Sequence, residues 1–230
     1  MTTAPIAPGS RAAGRRPQSG PPLLAPVLAF TALTVGYVVA NRATPHPDAS
    51  GLAVLDYARA HGTAIKVGAL LLFASAVPLA LAAAVLYRRL RALGVTAPGS
   101  AITLVGGVLA SGALTLSAMS AWSGGRLPAK ADPALARALA DLSFLAGGPA
   151  YVVTFAMLIA GISVTGLLAG LLPRAVTWTG LVLAAAGMLS VLTLATLSFG
   201  FLLPIVRFGG LLWLVAVAAL LPRTRPSRHQ

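Results

Sequence analysis

Four side chains able to hold a metal or pass a proton, His46, Asp48, Asp56 and His61, fall within one short stretch of this 230-residue chain. Imidazole and carboxylate together are the raw material of zinc sites and of acid–base pairs. Their spacing argues against both. On a helix over about Ser50–His61, Asp56 and His61 would stand five positions apart, about 140° around the axis, whereas helical neighbours are three or four apart. They are therefore expected to be solvated residues of a loop and a short surface helix, with no metal and no cofactor.

Little other chemistry is available. Cysteine and glutamate are absent, so Asp48, Asp56, Asp132 and Asp141 are the only carboxylate side chains. That removes disulfides, thiolate metal sites and cysteine nucleophiles. No glycine-rich phosphate loop with a lysine and no metalloprotease helix motif occurs, and Gly161–Thr165 approaches the nucleophile elbow but lacks its last glycine. No catalytic constellation emerges, and the chain reads as a protein that is not an enzyme.

Arg207 is the one charge expected inside an apolar run. Ionisable groups within a membrane are expensive and mark functional sites by default. It has two readings: a side chain that snorkels to the interface, or an anion-binding or helix-pairing group. Gly166 and Gly170 have the spacing that lets two helices approach closely, and Gly107, Ser111 and Thr115 form a similar stripe. Packing within the chain is the first reading for both, a homo-oligomer seam the second. Pro78 falls in mid-span and is expected to kink its helix, with Ser75 or a neighbour satisfying the freed carbonyl.

These residues sit in a chain that is 57% hydrophobic and 9% charged, against about 25% charged in ordinary soluble domains. The fold class is all-α, a polytopic transmembrane bundle. Crossing a bilayer takes about 20 apolar residues, and six stretches are assigned: 22–41, 67–87, 101–122, 149–172, 175–199 and 204–221. The last depends on a turn near Ser198–Leu203, with Gly200 loosening the chain and Pro204 in the first turn of the next helix. Short surface helices are expected at about Ser50–His61 and at Pro133–Leu145, the second capped by Asp132 with Pro133 at its first position. Residues 1–21 and 223–230 read as basic tails, the first disordered. Arg15 and Arg16 before an apolar stretch also resemble a secretory signal, but that stretch is too long for a signal core.

Trp and Tyr favour the headgroup level, which puts Tyr37, Trp122 and Tyr151 at one end and Tyr87 and Trp178 at the other, with Trp213 unexplained in mid-span. The formal net charge is +13, but the arginines are scattered between apolar runs, so nucleic acid is not the expected partner. Ten Lys and Arg lie on the side of the termini and seven on the other, together with all four aspartates. The positive-inside rule then places both termini in the cytoplasm of a plasma-membrane protein, with the basic tails against anionic headgroups. Asp56 and Asp141, Gly62 and Gly147, and Arg89 and Arg174 share an offset of 85 residues, as a duplicated two-span unit would produce.

Asp132–Asp141 leading into the fourth span, Leu171-Leu172-Pro173-Arg174 and Gly209–Trp213 resemble the bacterial multi-span family known as domain of unknown function 4386. The resemblance covers roughly residues 22–222, with the N-terminal tail and the turn from Arg91 to Ser100 as departures. It implies a six-helix membrane protein and supplies no activity. Three functions stay open: a non-enzymatic accessory, lipid-contacting or sensing component; a small permease or exporter for a hydrophobic or anionic molecule; or a membrane-embedded enzyme, which would need the outer aspartates and histidines to converge. A cavity lined by Ser111, Thr115 and Arg207 would favour the permease, and a solidly packed midplane would count against it.

Overall fold

Runs of Leu, Ala, Val and Gly with almost no charge leave the backbone no partner but itself in an apolar medium, and helices satisfy every carbonyl and N–H internally. The computed structural model describes residues 22–128 and 130–222, and these are helices and turns. The helices are α1 (Leu24–Ala40), α2 (Gly51–Ala92), α3 (Gly99–Gly124), α4 (Pro133–Leu145), α5 (Tyr151–Leu168), α6 (Arg174–Leu189) and α7 (Leu202–Leu220). A π turn, Ala146–Ala150, joins α4 to α5, and two 3-10 turns, Ser190–Leu194 and Leu197–Phe201, lie between α6 and α7. The tails read from the sequence lie outside the described residues.

Five stretches are long and apolar enough to cross a membrane: Gly51–Ala92, Gly99–Gly124, Pro133–Leu168, Arg174–Leu194 and Leu197–Leu220. The chain is an integral membrane protein. Helix α1 is apolar but shorter than these five: its 17 residues rise roughly 25 Å, while the final stretch is fully long enough. Its preceding turn comes earlier than the sequence indicated. The helical run breaks at Ala195–Thr196, where the Thr196 hydroxyl caps the Ser198 N–H. Gly200 lies in the following 3-10 turn, and Pro204 falls in the first turn of α7, where a missing N–H costs nothing.

The surface helices prove to be extensions of spans. Residues from Gly51 continue into α2 as one helix of 42 residues, broken only locally at His61 (φ −121°, ψ 21°). Likewise α4, capped by the Asp132 carboxylate on the Ala134 N–H with Pro133 at its first turn, runs through the π turn into α5. The two breaks, His61 and Ala146, share the 85-residue offset of Asp56 and Asp141. The third coincidence does not hold, because Arg89 lies in the last turn of α2 whereas Arg174 opens α6. Through Pro78 the helix stays continuous and buried; Ser75 Oγ donates to the Leu72 carbonyl at 2.6 Å rather than to the one the proline frees.

The connections sort into two ends. One, the aspartate end, carries the α1–α2, α3–α4 and α6–α7 links and all four aspartates; the opposite end carries the α2–α3 and α5–α6 links. Both opposite-end turns are closed by a glycine with positive φ, Gly94 at 88° and Gly170 at 62°. In each, the second residue beyond the helix donates back into it, Val95 to Leu90 at 3.0 Å and Leu171 to Gly166 at 3.0 Å, the arrangement that a left-handed residue makes possible at a helix C-terminus.

The core is one cluster running through the middle of the bundle, with Leu79 and Ala83 of α2, Ala110 and Leu114 of α3, Phe155, Leu158 and Ile159 of α5, and Leu214 of α7. Helix α5 is the centre: its most apolar window is 61% buried, against 33–50% in the other long helices. Lipid is as apolar as leucine, so close van der Waals packing must replace the hydrophobic effect in holding helices together. Small residues supply it. A Cβ on Gly106 would lie 2.5 Å from the Leu158 nitrogen, and one on Gly107 2.3 Å from the Ala83 Cβ. Leu70, Val77, Leu81, Leu109, Met119, Trp178 and Leu212 are exposed on the outside, the face the bundle offers to acyl chains.

Candidate functional site

At the aspartate end the helices part. A cavity of about 520 Å³ opens there, within the 300–1,000 Å³ usual for small-molecule sites. Local sequence explains the opening. The Ala146-Gly147-Gly148-Pro149 run is a poor α-helix: two glycines weaken it and Pro149 lacks an N–H. The chain widens into a π turn, with the Tyr151 N–H reaching back to the Ala146 carbonyl. Such turns displace backbone groups from the regular ladder and recur at functional sites.

Arg207, in the second turn of α7, uses that displacement. Its guanidinium donates to the Gly147 carbonyl, lies 5.1 Å from the centre of the Tyr151 ring and forms part of the cavity wall. Among the described residues no carboxylate pairs with it. The side chain is half-buried and turned inward against the π turn and α5. A charge-assisted bond and an aromatic face are each worth about 1 kcal/mol or more when water is excluded. Tyr151 beneath it is 1% exposed and stacks on Phe155 at 5.3 Å, so it belongs to the core and not to an aromatic belt.

A second part of the wall is built by α3 and α4, and Tyr37, Asn41, Val54 and Tyr57 of the α1–α2 region add to it. Ser117 Oγ donates to the Ser143 carbonyl at 2.8 Å, and Ser143 Oγ to the Ser117 carbonyl at 3.2 Å. This double bridge fits because Gly147 brings no side chain; a Cβ there would meet Ser117 Oγ at 2.4 Å. Ser120, Phe144, Phe201 and Leu203 continue the lining. At the rim, Arg137 holds Asp141 at 2.9 Å and donates to the Ala49 carbonyl, which ties α4 to the α1–α2 loop.

The histidines and aspartates singled out in the sequence fall into three separate arrangements. His46 Nδ1 lies 2.6 Å from Asp48 Oδ1, with both side chains well exposed at 74% and 67%. The His46 contact holds the Asp48 carboxyl below its ordinary value. Asp56 pairs with Arg59 at 3.4 Å, and His61 stacks on Tyr57. Among the described residues no three His, Cys, Asp or Glu gather as a metal site. Of these residues His46 and Asp141 reach the cavity rim.

The small-residue stripe divides. Gly107 makes the close approach to α2, but Ser111 and Thr115 donate to the Gly107 and Ser111 carbonyls of their own helix at 2.9 Å and do not line the cavity. Gly166 sits against Leu172 and Thr177, whereas Gly170 has nothing within 4 Å of a Cβ position and serves as the helix-ending residue. Trp213 is buried, and its indole N–H donates to the Val176 carbonyl at 2.7 Å, which accounts for its mid-span position.

Ser117, Ser143 and Arg137 escaped the sequence reading, which placed Tyr151 at the headgroup level instead of under Arg207. The Gly-Gly-Pro run after α4 was the available signal for the π turn, and the four-residue spacing of Arg137 and Asp141 for the rim pair. No family model, no curated protein and no solved structure matches the chain, so the resemblance to domain of unknown function 4386 rests on the residues quoted for it alone.

Proposed function

We propose that this chain is a non-enzymatic, six-span protein of the cell membrane, an accessory, lipid-contacting or sensing component that binds a small molecule in the cavity of its aspartate end. The observation that carries this is one-sidedness. The cavity occupies one half of the bundle, while Leu79, Ala83, Leu114, Leu158 and Ile159, each 0–2% exposed, fill the middle. A binding pocket closed at its inner end suits a receptor or accessory subunit better than a passage. For the non-enzymatic reading the support is that each aspartate is engaged by a backbone N–H or a basic side chain, in Asp132, Asp141, Asp56 and Asp48.

The sixth span in this reading is α1, shorter than the rest. The excess of Lys and Arg on the side of the termini supports both ends in the cytoplasm and the cavity facing out. A small permease remains the second reading, favoured by Arg207 in the cavity wall.

The natural absence of cysteine makes the test direct. Single cysteines at Ser120 and Phe201, both in the cavity wall, should react with a membrane-impermeant thiol reagent added outside intact cells. Cysteines at Leu114 and Leu158 should not react from either side. Labelling of the midplane positions would replace the pocket with a passage, and labelling of Ser120→Cys only from the cytoplasmic side would reverse the orientation.

A further inference from the structure

Arg207 is a permanent cation in the cavity wall at the aspartate end, and among the described residues no carboxylate pairs with it. One donor of its five-donor fork goes to the Gly147 carbonyl, and its face is against Tyr151. Arg137, the other arginine of the cavity, differs in being neutralised by Asp141 at 2.9 Å. The cavity therefore presents one uncompensated positive charge, deep in its wall. Around it the lining is mostly apolar, with Phe144, Leu203 and Phe201 nearest in sequence to the arginine and to the π turn. The mouth bears His46, paired with Asp48, and the Arg137–Asp141 pair, so the acidic groups there already have basic partners.

From this we infer that the cavity binds a single-chain amphiphile with one acidic group, a carboxylate or a phosphate monoester. The acidic group sits on the free donors of Arg207 and the apolar body lies along Phe144, Leu203 and Phe201. Low local dielectric makes a bidentate guanidinium–oxyanion contact strong, whereas an uncharged head group gains little from it. Size points the same way: 520 Å³ holds on the order of fifteen groups the size of a water molecule, at ~30 Å³ each. A two-chain lipid does not fit whole.

The inference rests on the cavity being a binding site, and the experiment separates the two. The full chain is placed in phosphatidylcholine nanodiscs and titrated with dodecanoate, dodecyl phosphate and dodecanol, with native mass spectrometry counting adducts. One equivalent of either anion should bind, dodecanol at least about tenfold more weakly. Arg207→Gln should erase the preference for anion over alcohol, and Arg207→Lys should keep part of it. The ratio of anion to alcohol binding is the decisive readout, since a general loosening of the fold lowers both together. Equal binding of dodecanol and dodecanoate, unchanged in Arg207→Gln, overturns the anion assignment and leaves the pocket intact. No binding of any of the three overturns the pocket itself. Repeating the titration in phosphatidylglycerol identifies the source: if dodecanoate no longer binds, a membrane lipid's own phosphate occupies Arg207 and the single-chain assignment falls.

Discussion

The two halves of this bundle are built from the same few residue types and behave oppositely. Toward the opposite end, Gly99, Gly106 and Gly107 of α3 and Gly161 of α5 bring helices so close that a single Cβ would collide with backbone or with a neighbouring side chain. Toward the aspartate end close approaches also occur, at Gly51, Gly68 and Gly147, but Gly124 faces open space, and Gly147 and Gly148 help form a widened turn. Glycine thus makes a tight seam where its neighbours are Ala, Leu and Gly from a straight helix. Next to a proline and an inward-turned arginine it makes a cavity. The difference lies in what the partner helix offers, not in glycine.

Breaking the tight half should have the largest effect. Gly106→Leu places its Cβ 2.5 Å from the Leu158 nitrogen and 2.8 Å from the Thr154 carbonyl oxygen, atoms of a fixed backbone, and overpacking of this kind costs about 3 kcal/mol or more. Denaturant unfolding in detergent, or loss of the monodisperse species on gel filtration, measures it. Trp213→Phe comes next. It leaves the Val176 carbonyl without its indole donor and should lower stability by about 1 kcal/mol in the same unfolding assay.

Gly170→Ala tests the turn that ends α5. Its φ of 62° is left-handed, and a Cβ there should cost about 1 kcal/mol, although nothing lies within 4 Å to clash with. Comparison with Gly124→Leu sharpens the contrast between halves. Gly124 is helical, also has nothing within 4 Å and lines the cavity, so stability should change by under about 0.5 kcal/mol. The leucine should instead occupy the cavity and slow thiol labelling of Ser120→Cys. A loss of several kcal/mol would mean that the aspartate half is as tightly packed as the other.

The smallest effect concerns Asp48. Its carboxyl is depressed, first of all by the hydrogen bond with His46. A depressed folded value makes its contribution complete above the ordinary value of 3.8 and lost as pH falls below it. Because both side chains are exposed the effect is small: Asp48→Asn should lower the thermal midpoint only slightly between pH 5 and 8, and the difference from the natural chain should vanish as pH falls below 3.8.

Much of the architecture was legible because its causes are local. The apolar runs fixed helices of bilayer length, Asp132-Pro133 fixed the start of α4, and Pro204 fixed the first turn of α7. Where local rules competed, the reading slipped. Pro78 reads as a kink in its span, yet the dihedrals that depart from helical within α2 are those of His61, and the proline stays buried within the continuous helix. The short surface helices read as separate because charge and apolar run change abruptly at about residues 62 and 146, but the backbone continues through both breaks.

The site was less legible. The sequence named Arg207 by the cost of burying a charge, a property it carries wherever it lies. Its partners could not be named, because Gly147 and Tyr151 are some sixty residues away in the chain and met it only through packing of α7 on α5. Ser111 and Thr115 showed the same limit, since a hydroxyl's spacing along a helix does not say whether it turns to a cavity or to its own backbone. Composition and periodicity alone determined that this is a helical membrane protein poor in catalytic groups, since the bilayer's demand for satisfied backbone acts residue by residue. Which half is solid, which is hollow, and what the single inward charge touches were decided only by the tertiary structure, because each depends on a carbonyl, a ring and a glycine supplied by different helices.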